Sequence, residues 1–179
     1  MPGREPGYRE RVTSTDVLIR PALPADVRAI RALVQPYADD RILLAKEWVG
    51  YYEAVQEFLV AEIDDEVVGC GALHVMWDDL AEIRTLAVDA SQRGRRVGHA
   101  LLSGLLERAR ALGLRRVFCL TFEVDFFTAH GFHVIEGTPV TTEVYAELLR
   151  SHDDGVAEFL DLARVKPNTL GNTRMLIEL

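Results

Sequence analysis

The 179-residue sequence predicts one α/β domain built of alternating strands and helices. Three observations lead there. Three β-rich runs, 57–63, 67–75 and 82–88, follow one another with short polar connections. A helix follows over 98–112, with apolar residues recurring at 101, 102, 105, 106, 109 and 112. Finally, 49% apolar and 27% charged residues suit a globular chain long enough to bury a sizeable core.

Taken in order, residues 1–16 are polar and are expected to form a disordered leader, with the single domain over 17–179. Val17-Leu18-Ile19 reads as a first strand. Pro24 and Asp26 suit the first turn of a helix whose apolar face is Val27, Ile30, Leu33 and Val34, and Pro36 is expected to end it. A second helix is expected around Val49–Ala54. Asp64-Asp65-Glu66 separates the first two β-rich runs as a tight hairpin turn, and the loop around Trp77-Asp78-Asp79 leads to the third. Gly113 suits the end of the 98–112 helix. Arg116–Thr121 is a strand, Val124–His130 a short helix stopped by Gly131, and Phe132–Ile135 another strand. Helical spacing recurs over Thr142–Leu149 and Gly155–Arg164, before a last strand at Arg174–Leu179.

Composition excludes several classes of function. A net charge of −8 argues against general nucleic-acid binding. No apolar run reaches transmembrane length, and no membrane partner is expected. Cys70 and Cys119 sit in apolar runs without metal-ligand spacing, so they read as buried thiols in a reducing cytoplasm, with no metal site. The charge is uneven, however. Residues 92–116 hold seven arginines against the single acid Glu107, a patch suited to a compact polyanion.

That patch opens the 98–112 helix. A helix start presents unpaired backbone N–H groups and a partial positive charge, which favour a phosphate. Gly94 and Gly98 let a ligand approach the backbone, and Arg93, Arg95 and Arg96 add mobile charge. A basic, solvated helix start with incidental glycines is the plainer alternative.

The run from Leu86 to Leu102 resembles motif A of the GCN5-related N-acetyltransferase (GNAT) superfamily, (Q/R)-x-x-G-x-(G/A). Arg93 takes the first position, Arg96 that of the first glycine and Gly98 that of the second. Arg96 departs from the pattern, since its Cβ restricts how the loop is wound. The resemblance implies the GNAT acyl-CoA N-acyltransferase fold, with a mixed, mostly antiparallel central sheet flanked by helices. It also implies acetyl-CoA as co-substrate, held by Leu86, Ala87, Val88, Arg93, Gly94, Arg95, Arg96, Val97, Gly98 and His99.

Period-2 alternation on the 82–88 strand places Glu82, Arg84, Leu86 and Val88 on one face, with Ile83, Thr85 and Ala87 on the other. A Glu and an Arg inside a sheet are costly to bury unpaired. They either neutralise one another or look into a wet substrate cleft.

Five separated blocks narrow the resemblance to the acetyltransferase domain of N-acetylglutamate synthases, in their short, stand-alone bacterial form. They are Arg41-Ile42-Leu43-Leu44, Val68–His74, Ala81–Val88, Val117–Thr121 with Phe126-Phe127 and Gly131-Phe132, and Asn172–Leu176. The implied reaction is attack of the L-glutamate α-amine on the acetyl-CoA thioester, the first step of arginine biosynthesis. Glu82 is the implied general base, directly or through water. Amides near Leu86–Val88 would polarise the thioester carbonyl. Two substrate carboxylates need cations, for which Arg84, Lys46 and Arg41 are candidates, with Leu43, Thr121 and Arg174 completing the acceptor site. Where many relatives place a Tyr acid, this chain has Phe127. His130, His74 and Tyr145 are undecided between site and packing roles. Alternatives are another amino acid or amine as acceptor, or a non-catalytic acyl-CoA-binding regulator; a homodimer is left open.

Overall fold

The structure, a computed structural model, describes residues 17–44 and 46–179; the leader expected over 1–16 lies outside them. β1 (Leu18–Pro21) leads through one helical turn into α1 (Val27–Asp39). Asp26 anchors that entry, accepting the Leu23 amide at 2.7 Å and pairing with Arg20 at 2.7 Å. The helix runs through Pro36 rather than stopping there. Pro36 lies in the last turns, where only one intrahelical donor is lost. The far end is tied down by the Tyr37 hydroxyl, which donates to the Val88 carbonyl at 2.7 Å.

After α2 (Trp48–Glu53), β2 (Phe58–Ile63) and β3 (Glu66–Val75) form the expected hairpin. Asp64 and Asp65 both take positive φ, 51° and 65°, which matches the right-handed twist of the flanking strands. β4 (Leu80–Val88) then leads to α3 (Val97–Ala111). Gly113, at φ 78°, closes α3: its amide reaches the Arg110 carbonyl and the Leu114 amide that of Ala109. β5 (Arg116–Thr121), α4 (Val124–Thr128) and β6 (His133–Val134) follow. The chain continues with α5 (Thr142–Leu148), α6 (Asp154–Phe159), α7 (Lys166–Thr169) and β7 (Thr173–Glu178). The helix expected over 155–164 is therefore cut short. Asp161 turns to φ 58°, and its amide and that of Leu162 close back on Glu158 and Ala157.

The seven strands form one sheet in the order β1-β2-β3-β4-β5-β7-β6, antiparallel except between β4 and β5. This is the mixed, mostly antiparallel sheet flanked by helices that the family resemblance implies. Alternation sorts the core into two faces. On one, α3 presents Leu101, Leu102, Leu105 and Ala109 to Leu59, Ala61, Leu73, Ile83, Val117 and Met175. On the other, α1 covers Phe58, Val60, Cys70 and Ala72, while α5 and α6 cover Leu80, Phe118 and Leu176. Cys70 and Cys119 are buried free thiols. Between those two helical layers, at the middle of β4, the face turns polar.

One expectation about β4 fails. Thr85 has φ 58°, and the β3–β4 register slips between Cys70 and Ala72. Such a bulge inserts an extra residue and exchanges the faces beyond it. Leu86 and Val88 consequently pack with Ile83 on the α3 side, whereas Ala87 faces α1. Glu82 and Arg84 share a face; Leu86 and Val88 do not share it with them.

Candidate acetyl-transfer site

β4 and β5 pair only from Leu80 to Glu82 and then splay apart. Beyond Glu82, the β5-side edge of β4 opens onto two cavities that meet at the Thr85 bulge. The first, about 640 Å³, is walled by Leu86, Val88, Arg93, Gly94, Arg96, Val97, Gly98 and His99, with Thr121 and Phe127 opposite. The first-turn amides of the 15-residue α3 face no intrahelical acceptor. Among the described residues Arg93 and Arg96 pair with no acid. Arg96 adopts φ 60°, ψ 22°, the left-handed geometry that a glycine would take without strain. A Cβ on Gly94 would meet nothing within 4 Å. An open cradle of amides and unpaired guanidinium groups fits a pyrophosphate.

The second cavity, about 920 Å³, includes Arg41, Leu43, Lys46, Glu82 and Arg84 among its walls. Glu82 is only 3% exposed, and its Oε2 accepts Arg84 Nη2 at 2.6 Å and Nε at 3.0 Å. The other edge of the guanidinium grips Asp153 through two bonds of 2.9 Å. Asp153 also caps α6, accepting the Val156 amide at 2.9 Å. Burial disfavours the Asp153 charge, but the Arg84 contact outweighs it and brings the pKa down to about 2. Burial likewise disfavours the Arg84 charge, and the two carboxylates more than compensate, raising its pKa. α6 approaches this pair at Gly155, where a Cβ would lie 2.4 Å from Arg84 Nη2 and 2.6 Å from Glu82 Oε2. Only glycine fits.

Two further side chains complete the polar centre. Burial, then the Arg84 charge, push the Lys46 pKa down. Glu158, 7% exposed, has its pKa raised to about 7 by burial and by the charge of Glu82. Opposite Glu82 in the register, His74 bonds Glu57 at 2.7 Å.

The expected site residues thus divide between the cavities, with three exceptions. The Ala87 side chain is buried towards α1 because of the bulge. Arg95 turns to Gln92 Oε1 at 2.6 Å and is not in the cavity wall. Arg174 lines neither cavity: it donates to the carbonyls of Glu158, Phe159 and Gly137, pinning the end of α6. His130 spans the Phe126 carbonyl at 2.8 Å and His99 at 3.0 Å, and Tyr145 packs in the α5–α6 core. Sequence reasoning missed Asp153, Gly155 and Glu158. The Ser151-His152-Asp153-Asp154 run is a helix-start signal that could have located Asp153. Nothing in the local sequence marks Glu158.

The model of the Acetyltransferase (GNAT) family matches residues 27–134. An amino-acid acetyltransferase of Mycobacterium tuberculosis is 58% identical over 173 residues, covering 95% of this chain and 99% of that protein. An amino-acid acetyltransferase of Aeromonas salmonicida is 30% identical over 119 residues, covering 65% of this chain but 27% of that protein. The chain therefore spans about a quarter of this longer relative. A Mycobacterium tuberculosis structure in complex with CoA and NLQ superposes with a TM-score of 0.88 at 60% identity, covering 90% of this chain and 99% of that one. N-acetylglutamate synthase from Neisseria gonorrhoeae, complexed with coenzyme A and N-acetyl-glutamate, shares the fold at TM-score 0.73 and 24% identity, over 92% of this chain and 35% of that one. Acetyl-CoA fits the cradle as co-substrate, and the chain belongs to the GNAT family of acetyltransferases.

Proposed function

We propose that the protein is an amino-acid N-acetyltransferase that moves acetyl from acetyl-CoA to the α-amine of L-glutamate, in the cytoplasm. The observation that carries this reading is the meeting of two unlike cavities at the Thr85 bulge, one with an amide and arginine cradle, the other with buried carboxylates and cations. A small zwitterion placed in the second cavity has its amine beside the splayed edge of β4, where the thioester arm would lie. Free backbone N–H groups there would polarise the carbonyl. The family resemblance of the five sequence blocks supports glutamate, and the relatives named amino-acid acetyltransferases support an amino acid as acceptor.

Within this reading Glu82 takes a proton from the attacking nitrogen through Oε1, the oxygen not engaged by Arg84. Arg41 and Lys46 are the cations offered to the substrate carboxylates. Arg84, already held by two acids, shapes the site by fixing Glu82 and contributes its charge at short range. Thr121 and Leu43 bound the acceptor's approach. The thiolate leaves without a side-chain acid at the Phe127 position.

The test is thiol release from acetyl-CoA by the purified protein across a panel of amino acids and amines. L-Glutamate should give the highest kcat/KM. Faster turnover of another acceptor would replace the substrate and keep the reaction. Tight CoA binding without thiol release from any acceptor would favour a non-catalytic acyl-CoA-binding regulator.

A further inference from the structure

The acceptor cavity holds a carboxyl that the reaction above does not use. Glu158 sits on α6, almost wholly buried, yet its side chain lines the 920 Å³ cavity beside Glu82 and Arg84. Among the described residues its carboxylate has no hydrogen-bond or ion-pair partner. Arg174 does not pair with it: both its Nη groups bond main-chain carbonyls, those of Glu158, Phe159 and Gly137. Buried carboxylates are ordinarily paired, because an unpaired one forfeits its hydration. A carboxyl left unpaired where a cavity begins is fitted to a ligand that brings its own positive charge and donors.

We propose that Glu158 is the carboxylate that receives the acceptor's ammonium and takes its first proton, before acyl transfer begins. This rests on the acetyl-transfer reading and deepens it. An amino acid arrives as R–NH3+, which has no lone pair to attack with. Proton transfer to Glu158 gives R–NH2 and Glu158–COOH. The nitrogen lone pair then forms the N–C bond, the C–S bond breaks, and its electron pair leaves on sulfur as the CoA thiolate. The second nitrogen proton passes to Glu82. Both carboxyls return their protons to solvent through the open cavity.

The neighbouring charges allow this division of labour. Facing Glu158 are Glu82 and Arg84 from β4, and Asp153 and Asp154 from the start of its own helix. Arg41, Lys46 and His152 line the same cavity. Arg84 is bonded to Glu82 and Asp153, whereas it acts on Glu158 only as a nearby charge. Its affinity for a proton is raised by burial and by Glu82, to about 7, near the value a base needs to work at neutral pH.

The experiment is steady-state thiol release by the full chain, from pH 6 to 9, for wild type and E158Q, with the best acceptor from the panel. Wild-type kcat/KM for the acceptor should rise through a break near neutrality. E158Q should lose that break and fall about 10²-fold or more at neutral pH, while calorimetric affinity for CoA is unchanged. A wild-type pH profile in E158Q overturns the proposal. If E158Q no longer binds CoA, E158D carries the test: it must keep the break with a reduced kcat, and loss of the break in a variant that retains a carboxyl overturns the proposal. Wild type that releases no thiol with any acceptor refutes the acetyl-transfer reading itself, and this role with it.

Discussion

Glu158 also leaves a mark on folding that requires no substrate. A carboxyl at 4.5 in the unfolded chain and about 7 in the folded one binds more protons when folded throughout that interval. Stability then falls as pH rises from about 4.5 to about 7 and levels off above, because ionising the buried group becomes a cost. Each pKa unit is worth about 1.4 kcal/mol, so the rise from 4.5 to about 7 puts the full penalty at about 3.5 kcal/mol. Glutamine removes the ionisation and keeps the shape. E158Q should therefore match or trail wild type at pH 4.5 and exceed it by about 3 kcal/mol at pH 8. Urea unfolding at half-unit steps supplies the comparison, and taking the difference between the two proteins cancels the five histidines, which titrate in the same window. Parallel stability curves for the two proteins from pH 4.5 to 8 would refute the account of a buried, unpaired carboxyl.

Other positions make equally sharp demands. R84A leaves Glu82 and Asp153 facing each other without their shared cation, and removing one partner of a buried pair costs about 3–5 kcal/mol; a melting point within a degree of wild type would contradict the observed network. G155A puts a methyl where the Arg84 guanidinium is already clamped, so overpacking should cost about 1–3 kcal/mol and lower kcat, with CoA affinity in calorimetry unchanged. R96G relieves a left-handed residue and should raise stability by about 1 kcal/mol, while the lost charge weakens CoA binding roughly tenfold; tighter CoA binding would show that Arg96 does not face the anion.

How much of this could be read from the chain depended on whether a local signal existed. The cradle had one: an arginine- and glycine-bearing turn immediately before a helical period. Gly113 and the acidic hairpin turn had one too. That Glu82 and Arg84 share a face, though not that they pair, followed from alternation, which holds as far as Arg84. It then failed because the bulge sits at Thr85, a β-branched residue that gives no warning of a positive φ. Pro36 misled for the opposite reason. A proline signal was present, but a helix already packed through Val27, Ile30 and Val34 bears the loss of one hydrogen bond near its end.

The 136–172 segment resisted reading because its order comes from distant partners. Spacing of Val156, Phe159 and Leu160 marks an apolar stripe and leaves Glu158 off it, as if solvated. In the fold α6 is buried over Gly155–Phe159, so the off-stripe position is enclosed as well. What encloses it is long-range: Asp153 docks on Arg84 across 69 residues, and Arg174 grips the carbonyls at the other end. The glycine between them lets the helix settle against the Glu82–Arg84 pair. The acceptor cavity is thus closed by contacts between residues far apart in sequence, with the same arginine that neutralises Glu82 also holding its lid of helix in place. Loss of Arg84 should therefore disturb acceptor binding even if its guanidinium never touches the substrate. Comparing R84K with R84A separates the two routes: an R84K variant that restores the melting point but not the acceptor KM would mean direct contact, and recovery of both together would mean that Arg84 acts through α6.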